Sequence, residues 1–152
     1  PSGGLQTNGF SLARSVLAGV YHERLSDGED VGSALLAEHR SFLDVVHPLL
    51  ASGDVKAMAH ITGGGVPGNL LRALPDGLGA TIRRGTWHEP EVFGLIQTRG
   101  SIDDDEMFRV FNMGVGFTLV TGADRVERLV AASSGQLVQI GAITAGGGVT
   151  IS

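Results

Sequence analysis

An α+β fold, with helices layered on a mixed or antiparallel sheet, is the architecture this sequence predicts. Three observations predict it. Stretches of helical and of strand periodicity alternate irregularly, not as strict βα units. Two apolar runs near the end, residues 137–143 and 149–151, flank Gly146-Gly147-Gly148 and predict a terminal hairpin. No periodic repeat or low-complexity segment interrupts the 152 residues, so a single domain with its own core is expected.

The elements follow in order. Asn8 is a good cap for a helix over 10–20, where Phe10, Leu12, Ala13, Val16, Leu17 and Val20 recur at helical spacing. Residues 23–30 are charged and carry Asp27-Gly28, which reads as a surface loop. A short helix is expected over 31–38 and another over 41–52, with a kink or late start because Pro48 lacks an amide donor. Residues 55–61 predict a strand and 66–74 a helix, closed by Pro75-Asp76-Gly77. A strand over 78–83 and a loop over 85–90 lead to Pro90, suited to the first turn of a helix running to about residue 99.

Asp103-Asp104-Asp105-Glu106 opens the next helix. Four acids together invite a metal reading. Acids in a first turn also complement the helix dipole, with Asp103 as cap, and that reading is preferred. Asn112-Met113-Gly114 then turns into a strand over 115–120, interrupted by Gly116. Asp124 is expected to cap a helix over 125–132, which Ser134-Gly135 ends.

Totals narrow the chemistry. The net charge is -5, and no basic run is longer than Arg83-Arg84, which argues against a nucleic-acid surface. Lys56 is the only lysine and no GxxxxGK[ST] can be written, so a P-loop is excluded. Without cysteine there is no disulfide or thiolate metal site. His22, His39, His47 and His88 lack a paired ligand spacing, and no HExxH or GxSxG occurs; no metal is expected. No apolar run reaches the roughly 20 residues of a membrane span. Pro1-Ser2-Gly3-Gly4 has neither the basic segment nor the apolar core of a signal peptide, so a cytoplasmic protein is expected.

The stretch from Ala57 to Leu71 organises the rest. A buried strand runs into Thr62-Gly63-Gly64-Gly65, and a helix follows. Three residues without Cβ let backbone N–H groups approach a ligand. A helix start adds unpaired donors and the positive end of a dipole, which suits an anion such as phosphate. Gly63, Gly64 and Gly65 are therefore candidate binding residues, against a plain tight turn. Thr62 is either a further hydroxyl donor or a turn former. His60, at the strand end, is a candidate to donate to phosphate or relay a proton, against a satisfied structural histidine. Asn8 and Gly9 place a second loop at a helix start, able to meet an anion or a ribose, and Asn112 offers an amide to a polar ligand.

Three blocks also carry a resemblance. His60-Ile61-Thr62-Gly63-Gly64-Gly65 resembles the HITGGG signature of the phosphoribosylformylglycinamidine cyclo-ligase (AIR synthetase) family. The stretch from Gly4 to Arg14, GLQTNGFSLAR, is similar to that family's GLHSNGYSLVR. Phe111-Asn112-Met113-Gly114-Val115-Gly116 is similar to its FNMGIG. Where the family has LLAPTRIY, this chain reads LLAEHRSF over 35–42. Arg40 and the aromatic Phe42 keep their places, while Glu38 and His39 replace proline and threonine.

The resemblance implies the C-terminal half of a two-domain enzyme, lacking its first strand and the N-terminal ATP-binding domain. It implies helices on a sheet with partial likeness to the ferredoxin fold. The implied reaction is ATP-dependent closure of the imidazole ring of formylglycinamidine ribonucleotide in purine biosynthesis, with ATP and Mg2+ held mainly by the other half. The implied partners are the ribonucleotide substrate, the N-terminal domain and a second copy in a homodimer. Relatives such as thiamine-monophosphate kinase or selenophosphate synthetase generally do not carry both HITGGG and FNMGIG. A different class remains as the alternative: a stand-alone, non-catalytic domain that binds a phosphate ligand or a partner.

Overall fold

The computed structural model describes all 152 residues, Pro1–Ser152. It is α+β, with seven helices and five strands in two small sheets. Strands β1 (Val55–His60) and β3 (Phe117–Thr121) pair antiparallel, with His60 opposite Phe117 and Met58 opposite Leu119. The second sheet is mixed. Its central strand β2 (Leu78–Ile82) runs antiparallel to β4 (Gly141–Ala145) and parallel to β5 (Gly148–Ile151).

The expected terminal hairpin is therefore replaced by a clasp. β4 and β5 are consecutive, yet they do not pair with each other; β2 lies between them. Gly146 N–H donates to Gly77 O at 2.9 Å, which pins the connection across the start of β2. A Cβ on Gly79 would overlap the carbonyl oxygen of Gly148 and lie 2.6 Å from that of Gly146. Strand periodicity gives the element but not its neighbour, and a side-chain-free position in β2 lets the loop close over it.

Helices α1 (Phe10–Val16), α2 (Val31–Leu35), α5 (Glu91–Gly100) and α6 (Asp104–Val110) enclose the larger core. It contains Leu5, Leu17, Val31, Phe93, Ile96, Met107, Phe108 and Phe111. Fully burying each large side chain stabilises the fold by about 1.5–3 kcal/mol. A smaller core lies between α4 (Gly65–Ala73), β1 and β2, built on Ile61, Val66, Leu70, Ala80 and Ile82. Trp87 packs against both, and its indole N–H donates to Met113 O at 2.7 Å. Helix α3 (Leu43–Leu50) carries Pro48 inside it, so the proline does not delay its start, and it buries Val46 and Leu49.

Several boundaries differ for local reasons. α1 is capped by Gly9 in the left-handed region, φ 71°, with no side-chain cap, so Asn8 does not cap it. It ends after Val16, and Gly19 at φ 88° turns the chain away from the expected continuation to residue 20. α2 is shorter than expected; Asp30 caps it by accepting from Ser33 N–H. β3 begins at Phe117 because a turn occupies 112–115, where Val115 N–H returns to Asn112 O and Met113 and Gly114 have positive φ. Asp124 sits within a 3-10 turn, Ala123–Arg125, before α7 (Val126–Ala132), and caps nothing. Asp103 does cap α6, accepting from Glu106 N–H at 2.7 Å.

The clasp makes a specific prediction. Gly79→Ala is expected to lose about 2–3 kcal/mol in chemical denaturation, with faster amide exchange in β5, because the added methyl forces the Gly146–Gly148 backbone off β2. Unchanged stability and exchange would show that the crossing is not tight.

Candidate functional site

The glycine turn is tied from beneath by one amide. β1 ends at His60, and Ile61 N–H donates to Gly116 O at 2.9 Å, fixing the strand exit beside β3. The chain then folds over Asn69, a buried residue of α4. Asn69 Nδ2 donates to Thr62 O, Gly63 O and Gly65 O at 3.1, 3.3 and 2.7 Å. Three carbonyls are thus drawn inward. Gly65 N–H returns to Thr62 O, but the N–H groups of Gly63, Gly64 and Val66 have no acceptor within the protein. Gly63 is exposed and nothing lies within 4 Å of its absent Cβ.

A cation joins those donors. Arg72 Nη2 donates to Asn69 Oδ1 at 2.5 Å, and Nη1 lies 3.8 Å from where a Cβ on Gly64 would stand. No carboxylate pairs with Arg72. Free N–H groups at the start of a nine-residue helix and an uncompensated guanidinium together make a candidate anion cradle. The Thr62 hydroxyl is already committed, donating to Asn69 Oδ1 at 3.1 Å, so it braces the turn instead of extending the cradle.

The triplet is not three equal residues. Gly64 sits at φ 97° and Gly65 at φ 58°. A Cβ on Gly65 would overlap Phe108 O and meet Phe111 O at 3.0 Å, so this glycine seats α4 on α6. Gly9 performs the same service from the other side: its missing Cβ makes room for the Phe111 ring. The N-terminal loop and the glycine turn therefore converge on Phe111, and Gly9 and Gly65 serve packing there.

Asn112 is a brace too. It is fully buried; its Nδ2 donates to Gly4 O and Leu5 O at 2.8 and 3.1 Å, and its Oδ1 accepts from Gly114 N–H and Ser2 Oγ–H. Nothing is left for a ligand, which corrects the expectation that its amide faces one. Free capacity lies elsewhere in the same loop. Asn8 Nδ2 and both amide atoms of Gln6 are buried without partners, and Gln6 holds a left-handed φ of 58°. Leaving a buried polar atom unpaired costs about 1–3 kcal/mol. Gln6 was missed by sequence reasoning, as were Asn69 and Arg72. The last two had one available signal: on α4 they lie three apart, on one face.

His60 points the other way. Alternation along β1 puts Lys56, Met58 and His60 on the exposed face and Ala59 in the core. Its ring stacks on Phe117 at 6.1 Å between centroids, tilts on Phe42 at 5.9 Å and faces His39 at 5.4 Å. Partial desolvation, and secondarily the His39 imidazole, hold His60 below the usual histidine pKa. Two of the three acids of α6 are engaged within the protein, Asp104 with Arg84 and Gln97 and Glu106 with Arg109, while Asp105 has no side-chain partner. No helix is long and apolar enough to cross a membrane.

The family model described as AIR synthase related protein, C-terminal domain, matches residues 1–152. The chain belongs to that family. Among curated relatives, it is similar to a chloroplastic/mitochondrial phosphoribosylformylglycinamidine cyclo-ligase of Vigna unguiculata, 41% identical across 100% of the chain and 41% of the relative. It is also similar to phosphoribosylformylglycinamidine cyclo-ligases of Myxococcus xanthus, 43% identical, and Sorangium cellulosum, 44% identical. In both, 97% of the chain aligns with 45% of the relative. The chain thus spans less than half the length of the relatives it matches. The AIR synthase family assignment agrees with all three blocks singled out in the sequence.

The triplet yields a graded prediction by thermal or chemical denaturation. Gly63→Ala is expected to be within about 0.5 kcal/mol of the parent, having open space and no positive φ. Gly64→Ala should cost about 1–2 kcal/mol through its left-handed backbone. Gly65→Ala should cost about 3–5 kcal/mol, because strain and overlap with Phe108 add. A flat series would contradict this division of labour.

Proposed function

We propose that this chain is the C-terminal half of a phosphoribosylformylglycinamidine cyclo-ligase and supplies the phosphate-holding side of its substrate cleft. The single observation that carries this is the glycine turn, where Asn69 gathers the carbonyls, the Gly63 and Gly64 N–H groups have no protein acceptor and Arg72 lies beside Gly64. The relatives' printed names support the reaction.

In this reading the cradle binds the ribose phosphate of formylglycinamidine ribonucleotide and fixes the rest of the molecule against the N-terminal loop. The unpaired amides of Gln6 and Asn8 are matched to neutral donors and acceptors such as a formamide or a ribose hydroxyl. His60, held neutral at physiological pH, accepts a proton as the amidine nitrogen closes on the formyl carbon. ATP, when bound, turns the formyl oxygen into a phosphate leaving group. The family resemblance assigns ATP and Mg2+ to the N-terminal half. A homodimer, an N-terminal domain partner and a cytoplasmic location belong to the same reading; the name of the Vigna relative raises an organelle instead. A stand-alone binding domain is not favoured, because the similar curated proteins are named as cyclo-ligases.

Calorimetry with ribose 5-phosphate tests the cradle. Arg72→Gln is expected to weaken binding by about tenfold or more, the effect of losing one charge-assisted hydrogen bond. Unchanged affinity would remove the cradle. In the whole enzyme, His60→Asn should lower kcat about a hundredfold with little change in KM. The acid limb of the parent's pH profile should lie below about pH 6.5, since protonating a histidine of lowered pKa removes the base. The 152-residue chain alone is expected to show no turnover; activity of the purified chain would overturn the two-half reading.

A further inference from the structure

On the outer face of β1, a groove of about 530 Å³ is lined by His39, Arg40, His47 and His60 together with Phe42, Leu43, Met58 and Phe117. The sequence stretch that forms its rim is where this chain departs from the family's LLAPTRIY, with His39 in the threonine position. We propose that this groove is a second anion site, binding a phosphate dianion, free or as a monoester, between the imidazoles of His39 and His60 and the guanidinium of Arg40.

Three observations carry it. The first is spacing. The imidazole centroids are 5.4 Å apart and the rings are tilted by 56°. One hydrogen bond to an oxyanion spans about 2.8 Å, so oxygens of one phosphate bridge two ring N–H groups at such a separation. The second is charge. No Asp or Glu lines the groove, in a chain whose net charge is -5. Arg40 bonds only to Pro1 O and Gln136 Oε1, both neutral, and lies 6.0 Å from the Phe42 ring centre. A half-buried guanidinium with no carboxylate is left with its charge unbalanced.

The third is the surrounding medium. Met58, Leu43 and Leu50 are large, exposed and apolar, and they border the same groove. An apolar border lowers the local dielectric, which strengthens attraction between the cations and a dianion. The groove is distinct from the glycine cradle, whose cation is Arg72 on α4, but it shares His60 with the proposed ring closure.

Protonation sets the binding. The titratable groups facing the pair are Arg40 from the same segment, His47 from α3 and Lys56 further along β1; β3 contributes the uncharged Phe117. An imidazolium offers two N–H donors and a positive charge, whereas a neutral imidazole offers one N–H and no charge. An anion held between the rings favours their charged forms, so affinity falls as pH rises and that charge is lost.

Titration of the 152-residue chain with inorganic phosphate, followed through the imidazole NMR resonances, tests this. At about pH 6, His39 and His60 are expected to shift together and saturate, with affinity at least tenfold lower near pH 8. His39→Thr should weaken binding about tenfold at pH 6 and flatten its pH dependence, while Arg72→Gln leaves these shifts intact. His39 is exposed, so the folded state is kept. A parallel titration with ribose 5-phosphate separates the two sources of the dianion, and saturable shifts with either support the site. Absence of imidazole shifts with both, shifts unchanged in His39→Thr, or shifts lost in Arg72→Gln would overturn the groove site. None of these outcomes decides the cyclo-ligase reading, which rests on binding at the cradle.

Discussion

One side-chain amide holds the centre of this molecule in shape. Asn69 accepts from a hydroxyl and a guanidinium through its oxygen and donates to three backbone carbonyls through its nitrogen. A turn of three glycines has little intrinsic preference for any one conformation, since glycine loses the most backbone freedom on folding. The amide offsets that loss with a concentrated set of bonds in a buried place. It also sets polarity: three carbonyls turn toward the amide, and the Gly63 and Gly64 N–H groups are left without a protein acceptor.

A second amide does comparable work one loop away. Asn112 spends its whole capacity on residues 2, 4, 5 and 114, so the N-terminal loop is held by a side chain far along the sequence. Between the two amides lies Phe111, packed against by Gly9 on one side and approached through its carbonyl by Gly65 on the other. Small residues at these two points let three segments meet where side chains would separate them. The polar atoms left over, on Gln6 and Asn8, sit in a loop that is otherwise fully braced.

Local chemistry was legible in the sequence, and partnership was not. The strand, glycines and helix at 55–73 followed from residue types alone, because a Cβ-free bend after an apolar run has few other uses. Asp103 as a cap was legible for the same reason. Asn8 was misread because Gly9, in a left-handed conformation, took the capping position, and Asn112 because burial depends on the loop it meets. Arg72 was hidden because a helical residue's direction depends on where the helix begins. The groove at His39 lay in a stretch with no periodicity, and only the fold sets it opposite His60.

The interleaving of β4, β2 and β5 bears on how the chain reaches this state. β2 receives its hydrogen-bond partners on both edges from one segment that lies much later in the sequence. During synthesis the middle strand therefore emerges with both edges bare and stays so until β4 and β5 leave the ribosome. Non-local pairing of this kind is slow, and unpaired strand edges invite association with other chains. The exposed interval favours a cell in which chaperones shield nascent sheet edges.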